Sequence, residues 1–162
     1  SSDVNNIDKY KFPRPMIHDG TLNMSFSGLK THFYYLLKGK KGEDIDMVQD
    51  LKYLASSFQE AVFDVLLKKL ESAINRKNPK TLCIGGGVSA NKYLRLKLRR
   101  LSKKYGINVY FPPYKYLCGD NGAMIGVAAS MMIKRGIKPN NVDLIERIPR
   151  LSLTEPQKIA MV

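Results

Sequence analysis

The chain has 162 residues, is 44% hydrophobic, and sets 27 Lys+Arg against 14 Asp+Glu for a net charge of +13; its mean hydropathy is −0.26. This is the composition of one soluble domain large enough for a real core, and it excludes a bilayer span, because the longest apolar run, Ala123 to Ile133, falls well short of roughly 20 residues. The charge excess fits either a polyanionic partner, most simply nucleic acid, or a well-solvated basic surface.

The first residues, Ser1 to Asn6, have neither the basic nor the apolar region of a signal peptide, so the expected location is the cytoplasm. Residues 1–24 are polar and broken by Pro13 and Pro15 around Arg14, which predicts an irregular lead-in. Ser25-Phe26-Ser27-Gly28 opens a short apolar helix over Leu29–Leu37, closed by the charged loop Lys38-Gly39-Lys40-Lys41-Gly42. A long helix should start near Glu43-Asp44 and stop at Asn78-Pro79, where proline forbids continuation. Its apolar residues Val48, Leu51, Ala55, Phe58, Val62, Val65, Leu66, Ala73 and Ile74 recur at helical spacing and predict one buried stripe. Asp50, Lys52, Gln59, Lys68, Lys69 and Glu71 are expected on the other side.

A strand over Lys80–Ile84 then runs into Gly85-Gly86-Gly87 and a helix from about Ser89 to Tyr105, stopped by Gly106. A second strand, Ile107–Phe111, precedes Pro112-Pro113 and a last helix from about Asp120 to Arg135. Its residues Ala123 to Ala129 are small or apolar all round, which predicts a buried, close-packed helix. The tail from Lys138 contains three prolines and no periodicity, as for a segment wrapping the surface. Strand–helix–strand–helix with short connections predicts a parallel, right-handed α/β unit. Two strands are few for a parallel sheet covered on both faces, so the unit reads as part of a larger α/β protein or as a sheet completed by unrecognised strands. Cys83 and Cys118 lack a CxxC partner and sit in apolar surroundings, as expected of small buried hydrophobes in a reducing compartment.

The chemistry concentrates at two glycine-punctuated turns. A strand entering Gly85-Gly86-Gly87-Val88-Ser89-Ala90-Asn91 leaves the opening amides of a helix facing outward, where they suit an anion or a nucleotide edge. The pattern satisfies G-x-G-x-x-A, but no acid closes the next strand to hold a ribose, which argues against a dinucleotide fold. Asn91 can serve an adenine edge or ribose through its amide, or it can bond the local backbone. On the second turn, Cys118-Gly119-Asp120-Asn121-Gly122-Ala123, Asp120 is either a helix N-cap or a ligand for a hard metal or phosphate-bound cation. His18 and His32 lack ligand spacing and read as surface or packed residues. The helix between the turns carries Lys92, Arg95, Lys97, Arg99, Arg100, Lys103 and Lys104 without an acid. It is either a solvated face or a phosphate-backbone contact, with Leu94, Leu98 and Leu101 as its apolar stripe. Lys30 and Lys115 are further cations beside turns.

Phe12-Pro13-Arg14-Pro15-Met16, Ser25-Phe26-Ser27-Gly28-Leu29-Lys30-Thr31, Gly86-Gly87-Val88-Ser89-Ala90-Asn91 and Cys118-Gly119-Asp120-Asn121-Gly122-Ala123-Met124-Ile125 resemble, in order and spacing, successive blocks of the TsaD family of tRNA threonylcarbamoyladenosine transferases. The resemblance implies the C-terminal lobe (25–137) of an actin/Hsp70-like, ribonuclease H-like α/β fold. It implies transfer of threonylcarbamoyl from threonylcarbamoyl-AMP to N6 of the adenosine beside the anticodon of tRNAs reading codons that begin with A. It also implies one divalent metal, iron or zinc, held by Asp120 and two histidines of an N-terminal lobe, with donor contacts at Asn91 and Gly85 to Gly87. TsaB-like and TsaE-like proteins are the implied partners, and Lys92, Arg95, Arg99 and Lys103 are the candidate tRNA contacts. The family's HxxxH pair is absent here, so the chain alone is expected to be inactive. Two rivals come from other classes: a non-catalytic nucleic-acid-binding module, and a metallopeptidase after the family's older glycoprotease label, which would need an HExxH-like helix that the chain lacks.

Overall fold

A computed structural model describes residues 9–39 and 47–138, which fall into two compact units divided after Cys118. The tail from residue 139 and the loop residues 40–46, including the expected start of the long helix, lie outside the described residues.

In the first unit, helix α1 covers Ser27–Leu37 and helix α2 covers Met47–Lys77. Two clusters of buried side chains meet α2 on different faces. Tyr10, Phe12, Leu29, Leu36, Leu54 and Ala61 form one, with Phe33 and Phe58 packed against it. Phe63, Leu94 and Leu98 form the other, joined by Leu66, Leu67, Leu70, Ile84 and Phe111. The single stripe expected on α2 is therefore corrected: Leu51 and Ala55 are exposed, whereas Leu54, Ser57 and Phe63 are buried. A helix gripped from two sides buries more than one stripe, so a one-stripe register misassigns its edges. Val48 lies among side chains outside the description.

The same double packing buries Asp50 and Lys69, both expected in solvent. Lys69 donates to Asp19 and to the Thr21 carbonyl at 2.8 Å, and Lys9 donates to Asp50. The described part of the lead-in, residues 9–24, has no helix or strand, as expected, yet it is core rather than trim. Tyr10 and Phe12 are buried, the Tyr10 amide donates to Ser57 Oγ at 3.1 Å, and Arg14 pairs with Asp64 at 2.8 Å. Phe12 also contacts the rings of His32, Phe33 and Phe58 at centroid distances of 5.4, 5.8 and 5.6 Å.

Helix α2 ends where Asn78 takes a left-handed φ of 44° ahead of Pro79. Strand β1, Thr81–Cys83, pairs in parallel with β2, Asn108–Tyr110, in the register Thr81↔Asn108, Leu82↔Val109 and Cys83↔Tyr110. The connection between them is helix α3, Lys92–Tyr105. It ends at Gly106, whose φ of 64° lets the Gly106 and Ile107 amides turn back onto α3 carbonyls. The α/β unit is as expected, with strands shorter than the sequence predicts. Only the middle residue of each strand is half-buried, and the flanking residues are exposed. Cys83 is thereby corrected: it is exposed, while Cys118 is buried. Strand alternation sends Cys83 to the sheet face opposite Leu82.

In the second unit, helix α4 covers Gly122–Lys134 and Gly136 follows it at φ 81°. The expectation of a buried helix fails: no residue of α4 is buried, and Ile125 and Ile133 are 63% and 62% exposed. Apolar composition supplies a motive for burial but not a surface to be buried against.

Candidate functional site

The glycine turn starts as soon as β1 ends, with Ile84 still donating to Tyr110 at 2.9 Å. Gly86 adopts φ 83° and ψ 157°, a region open essentially only to glycine. A Cβ at Gly85, Gly86 or Gly87 would meet nothing within 4 Å, so the space over the turn is open. Residues Gly87–Ala90 form a separate 3₁₀ turn. The helix expected from Ser89 is thus broken at Asn91, which caps α3 instead.

Asn91 realises the local one of its two readings. Its Oδ1 accepts from the Tyr93 and Leu94 amides at 2.9 and 3.0 Å, and its Nδ2 donates to Gln59 Oε1 at 2.8 Å. An asparagine cap of this kind contributes about 0.5–2 kcal/mol. Gln59 is a residue that sequence reasoning missed, since nothing in its spacing on α2 distinguishes it from a solvated polar side chain. Ser89 is another. Its Oγ is buried and has no hydrogen-bond partner among the described residues, a condition that costs about 1–3 kcal/mol.

Arg95 ties the first turn to the loop after β2. Its guanidinium donates to the Ser89 carbonyl at 2.6 Å, to the Pro112 carbonyl at 3.1 Å and to Cys118 Sγ at 3.4 Å, over the Phe111 ring at 5.0 Å. It sits inside the fold as a clamp. Lys97 and Lys104 are also engaged, with Glu60 and with Glu71 at 2.7 Å. The acids missing from α3 are therefore supplied by α2. Burial lowers the Lys97 pKa, but the Glu60 hydrogen bond and charge outweigh it and hold the ammonium above its usual range. Burial, then the Glu60 hydrogen bond, likewise raises the Tyr93 phenol.

Lys92, Arg99, Arg100 and Lys103 are exposed. Arg99 lies over the Phe111 ring at 5.3 Å; the other three have no hydrogen-bond or ion-pair partner among the described residues. At 3.6 residues per turn, Lys92, Arg99 and Lys103 fall within about 40° of one another around α3 and along about 16 Å. That is a narrow cationic stripe.

In the second unit the cap is Asn121, not Asp120. Asn121 Oδ1 accepts from the Met124 amide at 3.0 Å and Nδ2 donates to the Gly119 carbonyl at 3.0 Å. Asp120 is exposed, and its carboxylate has no partner among the described residues. Nor do the described residues hold any group of three His, Cys, Asp or Glu side chains suited to a metal ion. One free carboxylate does not make a metal site, so the described residues do not by themselves assemble a complete one.

A parallel βα unit with a glycine turn after its first strand and a capped, basic crossover helix is an α/β arrangement. The chain belongs to one α/β family: the sequence model of TsaD, tRNA N6-adenosine threonylcarbamoyltransferase, matches residues 2–127. It is 41% identical over 146 residues to the tRNA N6-adenosine threonylcarbamoyltransferase of Thermosipho africanus, covering 90% of this chain and 42% of that protein. The protein of the same name from Francisella philomiragia is 43% identical over 136 residues, 84% of this chain and 39% of its own length. That of Chromobacterium violaceum is 40% identical over 128 residues, 78% of this chain and 37% of its own length. The chain thus spans about two-fifths of the length of these relatives. No helix among the described residues is long and apolar enough to cross a membrane.

Proposed function

We propose that this chain is the C-terminal, actin/Hsp70-like lobe of an enzyme that transfers threonylcarbamoyl from threonylcarbamoyl-AMP to N6 of the adenosine beside the anticodon of tRNAs reading codons that begin with A. The observation that carries the reading is the family match over residues 2–127, which takes in the glycine turn, Asn91 and Asp120. The uncapped Asp120 carboxylate supports its use as one ligand to a divalent metal, iron or zinc, together with histidines from an N-terminal lobe. The open space over Gly85 to Gly87 supports a donor site at that turn. For Asn91 to reach the donor, its Nδ2 would exchange Gln59 for the ligand while Oδ1 keeps the helix cap. Lys92, Arg99 and Lys103 would meet tRNA phosphates, with Arg95 holding the loops behind them. TsaB-like and TsaE-like proteins would complete the assembly, in the cytoplasm.

The test is reconstitution. Co-expressed with the part of the Thermosipho africanus relative that the match leaves uncovered, the chain should restore threonylcarbamoyladenosine to tRNA, read by mass spectrometry of nucleosides. Neither part should do so alone. Failure of every such pairing to modify tRNA, with both parts folded and associated, contradicts the reading.

The stripe on α3 favours a second reading, a tRNA-binding module without catalysis. Both readings expect salt-sensitive binding. Replacing Lys92, Arg99 and Lys103 by Gln should reduce the slope of log affinity against log salt by about 2. Only the catalytic reading expects tRNA to be modified. The peptidase reading has no observation in its favour.

A further inference from the structure

We infer that Tyr114 and Tyr116, on the loop that follows β2, form a stacking platform for an unpaired RNA base. The two rings are parallel, 7° apart in orientation with centroids at 5.5 Å. They are also 58% and 72% exposed, among the most exposed large hydrophobic side chains described. Exposed tyrosines normally scatter singly. Two stacked in parallel form a short stack whose outer face any nucleobase can extend.

The loop that carries them is held at both ends. Pro112 and Pro113 restrict the backbone before it. Within it, the Leu117 amide donates to the Tyr114 carbonyl and the Cys118 amide to the Lys115 carbonyl, each at 3.1 Å. Buried Cys118 anchors its far end, and Arg95 grips the Pro112 carbonyl and Cys118 Sγ together. A platform fixed in advance loses little entropy when a base stacks on it.

Charge identifies the occupant. Lys115 stands exposed between the rings in sequence. Arg99 of the stripe lies over Phe111, and Tyr114 is three residues further on, no more than about 11 Å of chain. Exposed aromatic faces with cations close by in the chain suit a single-stranded backbone whose bases splay outward. A paired helix would present phosphates to the stripe but no free base to the rings. The inference rests on reading this chain as tRNA-facing, and it specifies that the contact is to a loop rather than to a stem.

The experiment measures affinity of the 162-residue chain for an RNA hairpin with an unpaired loop, and for the same strand fully paired with its complement. The wild type should prefer the hairpin. Tyr114→Ala with Tyr116→Ala should weaken hairpin binding about ten- to one-hundred-fold and leave duplex binding unchanged. Tyr114→Phe with Tyr116→Phe should retain the preference, because the rings rather than the hydroxyls do the stacking. Hairpin binding that survives the alanine pair but falls with the Gln-substituted stripe overturns the platform and leaves the proposed function standing. Displacement of the tyrosine-dependent component by AMP assigns the rings to a free nucleotide and also overturns it. Absence of any RNA binding contradicts the tRNA-facing reading itself.

Discussion

Helices α3 and α4 are nearly equal in length, 14 and 13 residues, and opposite in character and in burial. Basic α3 buries Leu94, Leu98 and Ser102, whereas apolar α4 buries nothing. The difference lies in what each is offered. Helix α2 presents α3 with an apolar surface at Phe63, Leu66 and Leu70 and with acids at Glu60 and Glu71, each set opposite the matching face. Burial is thus decided by a complementary neighbour and not by a helix's own composition. The apolar surface of α4 has no such counterpart among the described residues, in a chain that spans about two-fifths of its relatives' length.

The largest test of this contrast is truncation on each helix. Leu98→Ala should cost about 2–5 kcal/mol in urea unfolding, as core leucines do. Ile125→Ala on α4 should cost under about 0.5 kcal/mol. Equal losses would mean that α4 is covered in the folded chain, and the comparison would collapse.

Within α3 the contrast can be sharpened between two arginines over one ring. Arg95→Lys gives up the planar fork that reaches Ser89, Pro112 and Cys118, and should lose about 1–3 kcal/mol. Arg99→Lys should lose less than about 0.5 kcal/mol. Matching losses would deny Arg95 its clamp role. Ser89→Ala should be neutral or stabilising by up to about 1 kcal/mol, because it removes a buried hydroxyl without a partner. A clear destabilisation would reveal a partner for that oxygen.

The smallest effect is electrostatic. Hydrogen bonds from Lys104, first, and Tyr105 hold the Glu71 carboxyl below its ordinary value of 4.5. A depressed carboxyl contributes stability above its unfolded value, and that contribution is lost as pH falls through the lower folded value. Stability of the wild type should therefore fall more steeply than that of Glu71→Gln between neutral pH and pH 3, by well under about 1 kcal/mol for a pair this open to solvent. Parallel curves would remove Glu71 from the α2–α3 contact.

The order of elements, the parallel pairing and the glycine turn were legible because each rests on local signals: a strand-like run, a glycine, a helical period. What stayed hidden depends on a distant partner. Asn91 announces a cap or a ligand, but only α2 reveals Gln59 behind it. Seven cations on α3 look alike until Glu60 and Glu71 engage Lys97 and Lys104, the carbonyls of Ser89 and Pro112 engage Arg95, and a narrow stripe is left over. Asp120 and Asn121 are adjacent and both competent to cap α4; the backbone conformation selected Asn121, and that choice left the Asp120 carboxylate without a partner among the described residues.

On the proposed reading, the Asp120 carboxylate is also the point on which function turns. In the reconstituted two-part protein, Asp120→Ala should lower tRNA modification by more than about 100-fold while tRNA affinity stays within about two-fold of wild type, since the proposed reading gives the phosphate contacts to the α3 cations and not to Asp120. Modification at the wild-type rate by that variant would contradict the account.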